Sequence, residues 1–239
     1  KPSPGMVRVR AILGTLLVVA GFVVAVCFGL YAVGASDFPD YREPNRYRAK
    51  PDLRALYLDV EAGGIEDVPR LNPVSAWGYR LWQLSGWQGA SLDSQLGLLS
   101  RAGRTLAMRQ AHPTRGLRGH LLDSAAAIRA SRDWPLERMV DTILAESTFG
   151  RGAKGIEQAA LAWYGRPLDD LVPEERLLLI ALMKGPSHYD PVCRPERFAQ
   201  RYPWAAKRAG FADAGSALRA ALARMRPSAC PASGTAPAP

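Results

Sequence analysis

The stretch Met139–Pro191, MVDTILAESTFGRGAKGIEQAALAWYGRPLDDLVPEERLLLIALMKGPSHYDP, alternates helical spacing with glycine and proline stops. Pro135 stands where a first helical position falls, and Met139, Val140, Ile143 and Leu144 repeat at helical intervals. Gly150, Gly152 and Gly155 then interrupt the pattern, which predicts a turn or a close backbone approach. A second helix places Ile156, Ala159, Ala160 and Trp163 on one face, with Gly165 just past its end. Pro173, Glu174 and Glu175 open a third, which runs through an apolar block to Lys184 and stops at Gly185-Pro186. Burial is expected for Trp163, Tyr164, Ile180 and Leu182, and helix dominates from Ala90 to Met225.

Upstream, Ala11–Ser36 carries no charge and is long enough to span roughly 30 Å of hydrocarbon as a helix. A signal peptide has a shorter apolar core. AVGAS leaves a cleavage site open, but the length of the block favours a retained anchor. Arg8 and Arg10 place residues 1–10 in the cytoplasm as a basic tail and everything after Asp37 outside. Residues 37–52, rich in Pro, Arg, Tyr and Asp, read as a linker, 53–226 as one domain, and 227–239 as a disordered tail of Ala, Pro, Ser and Gly.

The chain has 239 residues and a formal charge of +9. Outside the anchor and its flank the balance stays basic. Beside a bilayer this favours anionic partners: lipid head groups, phosphates or a pyrophosphate-linked substrate. Nucleic acid is set aside, because the basic residues are scattered and no nucleic-acid motif occurs. Cys27 falls in the apolar segment. Cys193 and Cys230 can pair in an oxidising space or remain two thiols.

FGRGAKGIEQAALAWYGRPLDDLVPEERLLLIALMKGPSHYDPVCRPERFAQR, from Phe149 to Arg201, resembles the C-terminal half of the peptidoglycan glycosyltransferase domain, glycosyltransferase family 51. That domain occurs in monofunctional biosynthetic transglycosylases and at the front of class A penicillin-binding proteins. The positions that carry the resemblance are Phe149, Gly150, Gly155, Ile156, Ala159, Ala160, Tyr164, Gly165, Pro186, Ser187, Tyr189, Pro191, Pro195, Glu196 and Arg197. The resemblance implies a mainly α, lysozyme-like helical domain behind one N-terminal transmembrane helix. It implies a protein of the bacterial inner (plasma) membrane, with its domain on the extracytoplasmic side.

The family's catalytic motifs lie upstream, where this sequence diverges. Setting Glu61 on the family Glu puts Ile65 on its Phe and Asn72-Pro73 on its Asp-Pro; Glu66-Asp67 is the competing register. A lone glutamate is by base rate an exposed loop residue, and only the register lifts Glu61 above that. In the second motif Gly89, Ser91 and Gln95 match, while Leu92, Leu96 and Leu99 replace a Thr, a Gln and the Lys. A surface turn and an amphipathic helix would leave the same letters. In the third, Arg115 keeps the leading Arg and Asp123 keeps the acid one methylene shorter. Gly119 and His120 replace the Arg-Lys pair, with Arg118 adjacent. Asp123 also reads simply as a polar-face residue of an Ala-rich helix. In the fourth, Ile143-Leu144-Ala145 replaces Tyr-Leu-Asn.

The implied activity is polymerisation of lipid-linked disaccharide-peptide into glycan strands with loss of undecaprenyl pyrophosphate. Glu61 is then the base that takes the acceptor proton, and Asp123 the second acid. Ser91, Gln95, Arg115, Arg118 and His120 are the substrate-binding candidates, with the arginines facing pyrophosphate charge. The resemblance also admits a divalent cation (Mg or Mn), with Asp123 orienting either that metal or the arginines, and other cell-wall synthesis proteins as partners. Two rivals remain. A non-catalytic family member would keep the fold and bind glycan, precursor or an envelope protein. Alternatively, ILAESTFGRGAKGIEQ echoes lytic transglycosylases, with Glu146 as a general acid, although its spacing to Gly152-Ala153 is short.

Overall fold

The computed structural model describes residues 4–36, 46–84, 89–108, 116–226 and Cys230. Arg115 and, apart from Cys230, the expected tail 227–239 lie outside the described residues. The described chain is helical, with one isolated bridge, Thr148 to Lys154, and no strand. The helices are α1 (Pro4–Ser36), α2 (Pro51–Tyr57), α3 (Pro73–Leu84), α4 (Ala90–Ala107), α5 (Leu117–Asp133), α6 (Leu136–Glu146), α7 (Ile156–Tyr164), α8 (Pro173–Leu182), α9 (Pro195–Arg208) and α10 (Ala214–Ala223). They divide between two compact units.

The first unit holds α1, α3, α5 and α4 from Leu99 onward. Its centre is the alanine-rich face of α5, where Leu122, Ala126 and Ala130 pack on Leu106 and Ala107, with Trp134 at the edge. Small side chains let backbones approach. A Cβ on Gly34 of α1 would sit 2.2 Å from the Leu121 carbonyl oxygen, so the end of α1 touches α5 backbone to backbone. Arg129 Nε donates to Tyr31 Oη at 3.3 Å across the same pair. Within α1, Ile12–Ser36 is long and apolar enough to cross a membrane. Asn72 and Ser75 cap α3 reciprocally, each backbone N–H donating to the other's side-chain oxygen.

The second unit holds α2, the first half of α4 and everything from Pro135 on. Met139, Val140, Ile143 and Leu144 are buried, as their spacing predicts, and so are Trp163, Tyr164, Ile180 and Leu182. Pro135 is the N-cap of α6 rather than its first residue, so the helix starts one residue later than expected. α8 ends at Leu182, not Lys184. The Gly185 N–H bonds back to the Leu182 carbonyl, and this three-residue tightening closes the helix early. Residues 46–50, expected in the linker, are already docked: the Ala49 N–H donates to the buried carboxylate of Asp141.

The glycine turn after α6 folds back on itself. Phe149 N–H bonds to Ala153 O, and Gly155 N–H to Ser147 O. Trp163 Nε1 donates to Phe149 O at 2.9 Å, and the Arg151 guanidinium lies 3.5 Å above the Trp163 ring centroid. Desolvation there pushes the Arg151 pKa below its usual value. Gly155 is required twice over. Its φ is +87°, and a Cβ would meet the Ala145 carbonyl oxygen at 2.6 Å. Gly155→Ala is therefore expected to cost about 2–4 kcal/mol, the sum of left-handed strain and overpacking, read as a shift in urea midpoint at unchanged slope.

Cys193 and Cys230 form a disulfide, Cα–Cα 5.4 Å, which settles the pairing the sequence leaves open. It closes a loop across 37 residues of separation. Cys193→Ser is expected to lower stability by about 3–4 kcal/mol on the loop-entropy account. Reductant should reproduce that shift in the wild-type chain and leave Cys193→Ser unmoved.

Candidate functional site

In the second unit α2 does not simply end. Pro51 opens it, Leu53 and Tyr57 anchor it, and it then widens into a π-helical turn, Leu58–Ala62. Such turns are frequent at functional sites because one extra residue per turn re-aims the side chains that follow. Val60 and Ala62 point into the core, and Gly63, at φ +72°, caps the turn in the left-handed conformation. Glu61 lies between the two buried residues, its side chain 3% exposed.

The Glu61 carboxylate is held by Arg201 Nη2 from α9, whose side chain is itself 9% exposed. Arg201, Trp204 and Arg208 share one face of α9, at helical intervals of three and four. The Arg201 guanidinium lies 4.0 Å from the Trp204 ring centroid and that of Arg208 4.8 Å. Arg208 Nε also donates to the Asp59 carbonyl at 3.1 Å. One helix face thus grips the π turn at Asp59 and at Glu61. The left-handed φ of +72° is what calls for glycine at position 63; a Cβ there would meet the end of the Arg208 side chain, Nη2 at 2.8 Å.

Of the other sequence candidates, Gln95 is in this unit. Its amide donates to Asp67 Oδ1 at 3.0 Å, which ties the second motif to the segment following Glu61. Ser91 lies in the first turn of α4. Glu66, the competing register, is exposed. Leu99, where the family keeps a lysine, is 1% exposed and part of the core.

Arg118, His120 and Asp123 belong to the first unit, all on α5. Arg118 and His120 are exposed and Asp123 is partly buried; the His120 carbonyl accepts the Ser124 hydroxyl at 2.7 Å. Glu61 and Asp123 therefore fall in different units.

Glu146 ends α6 with its carboxylate 3.0 Å from Lys154 Nζ, an ion pair across the glycine turn. Among the described residues no three His, Cys, Asp or Glu side chains gather where a metal ion could be held. The side chains that reach Glu61, Arg201 and behind it Arg208, are cationic, which does not suit a resident cation.

Arg201, Trp204 and Arg208 escape the motif reading. Their signal is the helical spacing of two arginines and a tryptophan after Pro195-Glu196-Arg197, which marks a face but does not name its partner.

The helical architecture, without strands among the described residues and with one apolar N-terminal helix, is consistent with a lysozyme-like helical domain. The profile of the transglycosylase family matches residues 89–209, half of the chain. The chain belongs to that family, glycosyltransferase family 51. It is 35% identical over 92 residues to penicillin-binding protein 1A of Mycolicibacterium smegmatis, covering 38% of this chain and 12% of that protein. It is 33% identical over 93 residues to penicillin-binding protein 1A of Mycobacterium tuberculosis, covering 39% and 11%. Against the biosynthetic peptidoglycan transglycosylase of Xanthomonas oryzae pv. oryzae it is 35% identical over 68 residues, covering 28% and 27%. The matched segment thus spans about a tenth of the penicillin-binding proteins and about a quarter of the transglycosylase.

Proposed function

We propose that this chain polymerises lipid-linked disaccharide-peptide into glycan strands, with Glu61 as the general base. The observation that carries the reading is the Glu61 carboxylate, lifted out of helical register by the π turn and held by Arg201. Its burial, against the exposure of Glu66, supports the Glu61 register. In the reaction an acceptor sugar hydroxyl attacks the donor anomeric carbon with inversion. The bond from that carbon to phosphate oxygen breaks, undecaprenyl pyrophosphate leaves, and the hydroxyl proton passes to Glu61. Asp123 is the second acid. Arg115, Arg118 and His120 offset pyrophosphate charge, and Ser91 and Gln95 bind sugar or peptide.

The apolar Ile12–Ser36 helix supports a membrane anchor, which keeps the domain with its lipid-borne substrate. Arg8 and Arg10 ahead of it favour a domain outside the cytoplasm, in the inner membrane of a bacterium. The Cys193–Cys230 disulfide fits that oxidising side.

The test is direct. The full chain, in detergent or vesicles with a divalent metal, is given lipid-linked precursor, and in parallel preformed glycan. Polymer from the precursor is expected. The burial of Leu99 favours a second reading, in which the family lysine is lost along with turnover; binding of precursor without polymer would establish it. Cleavage of preformed glycan, abolished by Glu146→Gln, would replace both.

A further inference from the structure

General-base catalysis needs the carboxylate within a few tenths of an ångström of its working position. A glutamate side chain has three rotatable bonds, and nothing in a π turn fixes them. The neighbours of Glu61 therefore have to. Arg201 engages Glu61 Oε1 directly, and both side chains are withdrawn from solvent. A guanidinium is a suitable clamp, because its N–H donors form a rigid planar fork that matches a carboxylate. Trp204, 43% exposed, supplies the stacking surface from one turn further along α9. Arg208 completes the grip by donating to the Asp59 carbonyl, two residues before Glu61. The partners are 140 residues apart in the chain, so the contact is a tertiary device and not a local helix pair.

We infer that Arg201, lying over the Trp204 ring, is the positioning residue that aims the Glu61 carboxylate at the acceptor hydroxyl. The inference rests on the proposed role of Glu61 as base. A cation that only bound substrate charge would act mainly on KM. One that orients the base acts on kcat, and acts only while the base is present.

The experiment compares wild type, Arg201→Met, Arg201→Lys, Glu61→Gln and the Glu61→Gln/Arg201→Met double variant of the full chain on lipid-linked precursor. Melting temperature is recorded for each. Arg201→Met is expected to lower kcat about 30–300-fold with KM within about threefold. Arg201→Lys keeps the charge and should recover to within about tenfold of wild type. In the double variant, loss of Arg201 should slow the reaction no further than Glu61→Gln alone. Equal losses multiplying in the double variant, or an effect confined to KM, would overturn the inference and leave Glu61 as base. If Arg201→Met does not fold, Arg201→Lys decides: lowered kcat at unchanged KM supports positioning, and raised KM at unchanged kcat overturns it. A wild-type chain that makes no polymer overturns the proposed function, and this inference with it. Polymer at full rate from folded Arg201→Met overturns this inference alone.

Discussion

Glu61→Gln is expected to reduce polymerisation about 10²–10⁴-fold, a barrier increase of about 3–5.5 kcal/mol, the usual range for loss of a general base. Glutamine keeps the shape of the side chain, and its carbonyl oxygen still accepts from Arg201. What it cannot do is take a proton. The substitution also removes the ion pair between Arg201 and Glu61, in a place where both side chains are nearly dry. Some loss of stability is therefore expected, up to about 3 kcal/mol, and rate must be expressed per folded molecule. Glu66→Gln provides the register control. Glu66 is exposed, and its substitution should leave turnover within about twofold. If Glu66→Gln abolished polymerisation and Glu61→Gln did not, the acid would be the one in the competing register, and the ion pair on the π turn would be structural only. The reaction is read as polymer length and amount on a gel, and as precursor consumed.

The helices of the second unit could be read directly because their determinants are local. Met139, Val140, Ile143 and Leu144 fall on one stripe and are buried together. The positive φ angles of Gly150, Gly152 and Gly155 lie where the glycine run breaks that stripe. Ends were less exact, since a proline fits both the N-cap and the first helical position; Pro135 took the former. The site was legible only in outline. Aligning motifs singles out Glu61 as the proposed base, but its helix reads as ordinary, because a π turn leaves no periodic mark in five residues. Its clamp was invisible for a different reason. Arg201 is one of many arginines in a basic chain, and only the packing of α9 on the π turn singles it out. Leu99 shows the converse. At the position of the family lysine it is 1% exposed, so a charged group there has been exchanged for a core role, and that exchange is the observation behind the non-catalytic reading.

The largest stability effect is expected at Asp141. This carboxylate is 1% exposed and carries three hydrogen bonds. Oδ1 accepts from the Ala49 N–H at 3.0 Å and from Arg54 Nε at 2.8 Å, and Oδ2 accepts from Arg54 Nη2 at 2.9 Å. The bidentate geometry is the strong form of this pair, and the hydrogen bond that Arg54 donates to Asp141 raises the Arg54 pKa above its usual value. Burial raises the Tyr47 phenol pKa in the same segment, further sign that this part of the chain is packed and not trailing in solvent. Asp141→Ala would leave a guanidinium and a buried N–H without their acceptor. The expected cost is about 3–5 kcal/mol, seen as a lowered urea midpoint. Arg54→Met/Asp141→Leu removes both charges together and should lie within about 2 kcal/mol of wild type, since no buried charge is stranded. That contrast separates loss of a partner from loss of the segment itself. Because α2 runs without a break into the π turn, Asp141→Ala should also loosen Glu61 before the chain unfolds. Under native conditions its kcat should fall more than its folded fraction does. A urea midpoint lowered by less than about 1 kcal/mol equivalent would mean that residues 46–54 are held by apolar packing, with Asp141 contributing little.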